Sequence, residues 1–83
     1  MLSYASPVCV AAIGSMTLCI KAQRALLDGG IAAHVIALSP RETRNGCAYG
    51  VAFALTAERN ARAVLTHARI PVSQYFTKDK SAP

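Results

Sequence analysis

The residue of this chain best suited to chemistry is Cys47. It closes the polar stretch "SPRETRNGC", residues 39–47, and leads into the apolar run "AYGVAFAL". A thiol of pKa near 8.5 is only a few per cent ionised at neutral pH. A nearby cation or exposed backbone N–H groups can lower that value by about one unit, which raises the reactive thiolate roughly tenfold. Arg41 and Arg44 supply such a field if the loop folds back over the sulfur, and Gly46 keeps the approach free of a β-carbon. Pro40 restricts the start of the loop, and Glu42, between the two arginines, reads as an ion-pair partner rather than an acid–base catalyst. The same residues allow a plainer reading. Asn45-Gly46 is then a hairpin turn, the arginines are solvated and Cys47 fills space.

The other reactive residue types sit in duller surroundings. Cys9 falls inside an apolar run and Cys19 on the apolar stripe of a helix, so both read as small hydrophobes. Three cysteines cannot all pair within the chain, and no C-x-x-C spacing suggests zinc or a dithiol redox motif. A reducing, cytoplasmic setting is expected. His34 and His67 have no carboxylate or cysteine at ligand spacing, so no metal site is expected. Arg59, Arg62 and Arg69 read as a solvated helix face. Neither a phosphate loop, nor a nucleotide fingerprint, nor a Ser-His-Asp set is present, and no cofactor is expected.

The elements that must hold Cys47 follow from the periodicity. "VCVAAI", residues 8–13, is an apolar run of strand length between Pro7 and Gly14, as in a central strand buried on both faces. From Thr17 to Asp28 the spacing predicts a helix, capped by Ser15 or Thr17 and ended by Gly29-Gly30. Residues 32–38 form a second strand, stopped at Ser39-Pro40. In "CAYGVAFAL" the alternation turns Tyr49, Val51, Phe53 and Leu55 toward the helices. Ala48, Gly50, Ala52 and Ala54 point the other way. A second helix spans about Ala57–Ala68 with Thr56 as N-cap, and "IPVSQYF", residues 70–76, supplies an edge strand.

The order β-α-β-β-α-β predicts an α+β, ferredoxin-like fold, with a four-stranded antiparallel sheet and both helices on one face. One domain is expected over residues 8–76, preceded by an N-terminal extension, 1–7, and followed by a flexible tail, 77–83. The opposite sheet face, built from residues 48, 50, 52 and 54 and joined by Ala33, Val35 and Ala37, is expected to be flat, apolar and uncharged. Such a patch marks self-association or a docked partner.

Composition sets bounds on partners. Sixteen alanines and no tryptophan leave a core of small groups, which subunit association could supplement. The net charge is +5, but residues 8–76 carry only seven basic against three acidic groups. That balance is too dilute to argue for nucleic acid, and the open face offers alanines rather than the stacked aromatics of RNA-binding sheets. The apolar stretch Val8–Ile20 is broken by Gly14-Ser15 and lacks preceding Lys or Arg, which argues against a secretory leader. No run reaches the roughly 18 apolar residues of a membrane span.

Over about residues 8–75 the chain resembles a family of small bacterial selenium/sulfur carrier-like domains, DUF3343. The resemblance rests on "TLCIKAQRALLDGGIAAHVI", a "PRE" step, a loop cysteine entering an apolar strand, and "LTAERNARAVLTHARIPV". Pro40, Arg41, Glu42 and Cys47 match that pattern, whereas Ala48 stands where the family has a glycine after the cysteine and Gly50 follows two positions later. The resemblance implies a carrier rather than a turnover enzyme. Cys47 would hold a persulfide or selenopersulfide and pass it from a donor to an acceptor protein, and Arg41 and Arg44 would stabilise the anion. Such a carrier needs one accessible thiol and no second catalytic group, because sulfur attacks sulfur. The alternative is a non-catalytic ferredoxin-like binding or regulatory module that associates through its alanine-rich sheet face.

Overall fold

The structure is a computed structural model and describes residues 7–39, 41 and 48–79. Strand β1 (Pro7–Ala12) leads into helix α1 (Met16–Asp28), strand β2 (Ala33–Ala37), strand β3 (Tyr49–Ala54), a single 3-10 turn (Leu55–Ala57), helix α2 (Glu58–His67) and strand β4 (Gln74–Asp79). The four strands form one antiparallel sheet in the order β2-β3-β1-β4. This is the expected α+β, ferredoxin-like arrangement.

β1 is continuously apolar because it is central and covered on both sides. Its odd residues Cys9 and Ala11 join Val51, Phe53 and the helix residues Leu26 and Leu65 in the main core. Its even residues Val10 and Ala12 pack with Ala52 and Leu38 on the opposite face. Burying Leu26 or Leu65 in full contributes roughly 1.5–3 kcal/mol each.

The register corrects the expected composition of the open face. Ala33 pairs with Phe53, Val35 with Val51 and Ala37 with Tyr49, and directly opposed residues share a side. Ala33, Val35 and Ala37 therefore belong to the helix side, and His34 and Ile36 lie on the open one. A one-residue change of register inverts every side chain, and the β2 sequence alone does not supply that register. Nor is the face flat. Leu38 lies over Gly50, where an added β-carbon would sit 2.9 Å from its Cδ1 and 2.7 Å from the Ala11 carbonyl oxygen.

Four boundaries also differ. α1 starts at Met16 with Ser15 as cap, its hydroxyl accepting from the Leu18 N–H at 3.3 Å. Thr56 is not the cap of α2, because β3 runs straight into the 3-10 turn and Thr56 lies within it. The α2 N-cap is Ala57, without a side-chain hydrogen bond, and Glu58 supplies the negative charge favoured in the first turn. β4 begins at Gln74 rather than Ile70, because Ile70 is used to close α2 by donating to the Leu65 carbonyl at 3.0 Å. The strand then continues through residues 77–79, expected as tail, which pair with Cys9, Val8 and Pro7.

Candidate functional site

Pro40, Glu42, Arg44, Gly46 and Cys47 lie outside the described residues, and Leu38 and Ala48 flank them. Leaving β2, Leu38 donates its N–H to the Ala48 carbonyl at 2.8 Å, which closes the loop's base. Arg41 and Ala48 are both exposed. Immediately after Ala48, the Tyr49 carbonyl accepts from the N–H groups of Ile13 at 3.1 Å and Gly14 at 2.8 Å. This shared acceptor ties the start of β3 to the end of β1. Gly14 reaches it with φ of 107°, a left-handed conformation that favours glycine.

Two residues beyond Gly14, α1 begins. Its first turn contains no acidic residue, so no side chain there offsets the partial positive charge of the helix end. The loop base, the β1–α1 turn and the positive end of α1 are thus gathered at one end of the sheet. The sequence did not reveal this proximity, which arises from the β1–β3 pairing.

The other cysteines are enclosed. Cys9 is 1% exposed and Cys19 fully buried, as expected of small hydrophobes. Burial pushes the Cys9 thiol up from the ordinary 9.0, the Glu58 carboxylate adds to the rise and the Arg62 guanidinium opposes it. A buried thiol held in its neutral form is a poor nucleophile. Arg62 is not merely solvated. Its guanidinium meets the Glu58 carboxylate at 2.6 Å and lies 4.1 Å from the centroid of the Tyr75 ring, bridging α2 to β4. Periodicity could not show this, since the partner aromatic is on another element.

On the open face a shallow, mostly apolar groove of about 440 Å³ runs between the β2 side and the β1–β4 end. Val8, Ile36, Ala52 and Ala54 line it, with His34 and Lys78 as its polar members. Among the described residues, no group of three or more His, Cys, Asp or Glu side chains could hold a metal ion. None of their helices is long and apolar enough to cross a membrane.

Comparison with protein families adds one match. The model of the family described as "Putative Se/S carrier protein-like" covers residues 8–77, from within β1 to within β4. The chain belongs to this family. The Se/S carrier-like model spans the loop that contains Cys47 as well as both helices. Neither the comparison with curated proteins nor that with solved structures gives a match.

Proposed function

We propose that this Se/S carrier-like protein carries sulfur or selenium on Cys47 and hands it to an acceptor protein. The observation that carries the reading is the sealing of Cys9 and Cys19 within the core, in a member of a family whose description is that of a carrier. A carrier needs one sulfur that its partners can reach, and that requirement leaves Cys47. The anchors of the loop support the electrostatics. Cys47 is bonded to Ala48, one residue from the carbonyl that holds the β1–α1 turn. The unneutralised start of α1 and the guanidinium groups of Arg41 and Arg44 would favour an anion there. Gly46 would leave the sulfur open to attack, while Pro40 and Glu42 would shape the segment that leads to it.

The chemistry requires only a donor persulfide. The Cys47 thiolate attacks its terminal sulfur, a new S–S bond forms as the donor's own S–S bond breaks, and the donor leaves as a thiolate. An acceptor thiolate then attacks the terminal sulfur of the Cys47 persulfide and regenerates the Cys47 thiolate. No net oxidation occurs. Selenium would travel in the same way as a selenopersulfide. The cysteine usage suits a reducing cytoplasm.

The deciding experiment is intact mass spectrometry after incubation with a low-molecular-weight persulfide, and separately with selenite plus excess thiol. Wild type should gain one sulfur or one selenium atom in a form that dithiothreitol removes, and Cys47→Ser should gain neither. An adduct that persists in Cys47→Ser, or a wild-type chain that takes up no chalcogen from either source, would sink the proposal. The second reading, a non-catalytic association module, is favoured by the apolar groove on the open face. It is what remains if no adduct forms.

A further inference from the structure

The strongest unexplained surface is the outer edge of β2. Among the described residues no strand lies beyond it. Leu38 and Ala48 form a hydrogen-bonded pair, so in an antiparallel ladder the next such pairs toward β3 are Ile36 with Gly50 and His34 with Ala52. The N–H and C=O groups of Ala33, Val35 and Ala37 consequently point outward. The Ala33 carbonyl confirms the direction, since it accepts from the Gln23 side-chain amide at 2.8 Å.

Edge strands are commonly protected by charges or proline. β4, at the other edge, has Lys78, whereas β2 reads "AHVIA" and has neither charged residue nor proline. Above this unguarded edge, α1 exposes Met16, Ile20 and Leu27 at 42%, 53% and 53%. Together with Gln23 they fall at i, i+4, i+7 and i+11, a single stripe of the helix. The opposite side of α1 faces α2, where Ala25 lies near Ala63 and Val64. The Gln23–Ala33 hydrogen bond therefore fixes the apolar stripe over the outer edge of the sheet.

The geometry points to a homodimer in which β2 pairs with β2 of a second copy about a two-fold axis through Val35. The strand is self-complementary in that arrangement. Val35 opposes itself, Ala33 opposes Ala37, and every outward N–H of these residues meets a carbonyl. The Ala33 carbonyl can accept both Gln23 and a partner N–H through its two lone pairs. α1 runs antiparallel to β2. Stepping three residues back from Gln23, about 4.5 Å along the helix, and two forward from Ala33, about 6.6 Å along the strand, brings Ile20 to the level of Val35. Ile20 then meets its own copy on the axis.

The contact itself brings no like charges together. Two chains of +5 repel each other, yet both the strand and the helix stripe are uncharged. A partner attracted by charge would bind more weakly as salt rises, whereas this dimer should strengthen as its self-repulsion is screened. Area sets the strength. The edge is about 17 Å long on a molecule 18 Å thick along its shortest axis. Its roughly 300 Å² of projected contact falls well short of the ~800 Å² per partner of a standard stable interface. The dimer is thus expected to be weak and concentration-dependent, dissociating in the range of about 10 µM to 1 mM.

Sedimentation of the Cys47→Ser chain in reductant tests this independently of the carrier reading and excludes disulfide-linked species. Between about 10 µM and 1 mM the mass should rise from 8.7 kDa toward twice that value, and more so at high salt. Ile20→Glu should abolish the rise by placing two like charges on the axis. Ala37→Pro should do the same by removing an outward N–H, with circular dichroism unchanged for both variants. Amide exchange at Val35 and Ala37 should slow as concentration increases. A monomer throughout the range, or a dimer unaffected by Ala37→Pro, would overturn the pairing.

Discussion

Arg62 shows how a residue that reads as surface charge can become part of the packing. It sits over the Tyr75 ring while held by Glu58, and together they cover the sheet near Cys9. Burial is the leading cause that raises both the Cys9 thiol and the Tyr75 phenol above their ordinary values of 9.0 and 10.0, with Arg62 opposing both shifts. For these acids a raised value means that the folded state holds its proton more tightly than the unfolded chain. Their stabilisation is complete below the unfolded values and is lost as pH rises through 9.0 and 10.0 toward the folded ones. Urea midpoints measured in reductant should accordingly fall from neutral pH to about pH 10.5. Tyr75→Phe should fall less steeply, because only the thiol then contributes. Equal slopes for the two chains would show that the phenol plays no part. A flat wild-type profile would show that neither group is linked to folding.

At the level of elements, the two helices end by the same device with different residues. After α1, Gly30 has φ of 83° and the Ile31 N–H reaches the Leu26 carbonyl at 2.8 Å. After α2, Arg69 has φ of 60° and the Ile70 N–H reaches the Leu65 carbonyl. Both are the left-handed C-terminal motif in which glycine is preferred. This difference explains much of what the sequence could reveal. Gly29-Gly30 marked the end of α1, and the alternation of Tyr49, Val51, Phe53 and Leu55 assigned the faces of β3. Arg69 gave no sign that α2 closes there and uses Ile70, and the start of β4 was consequently placed too early. The faces of β2 were inverted for a related reason, since "AHVIA" pairs in either register until β3 fixes it. Replacing Arg69 with glycine removes the strain of a β-carbon in the left-handed region and should stabilise the protein by about 0.5–1 kcal/mol. Thermal unfolding should then shift upward by roughly 2–8 °C for a domain of this size. An unchanged or lower midpoint would mean that the Arg69 side chain contributes more than its backbone costs.

For the molecule as a whole, the decisive pairing joins its beginning to its end. β1 is central, with β3 on one side and β4 on the other, so the first strand of the chain is complete only after the last has been added. The proposal for Cys47 rests on residue types and on the family resemblance, because a thiol that follows two arginines and a glycine differs from one in an apolar run. Cys9 was read as a hydrophobe, but its dependence on β4 could not be read from "VCVAAI". Thr77 lies directly opposite Cys9, and Lys78 opposite Val8. Ending the chain after Phe76 would remove those partners and expose the backbone edge of β1 next to the thiol. The loss of several ladder hydrogen bonds and of apolar cover should cost about 1–3 kcal/mol, seen as a lower urea midpoint. Cys9 should also begin to react with iodoacetamide under native conditions, at a site separable by peptide mapping from Cys47. If Cys9 stays protected in the shortened chain, the helices alone seal it and β4 has no part in keeping that thiol out of reach.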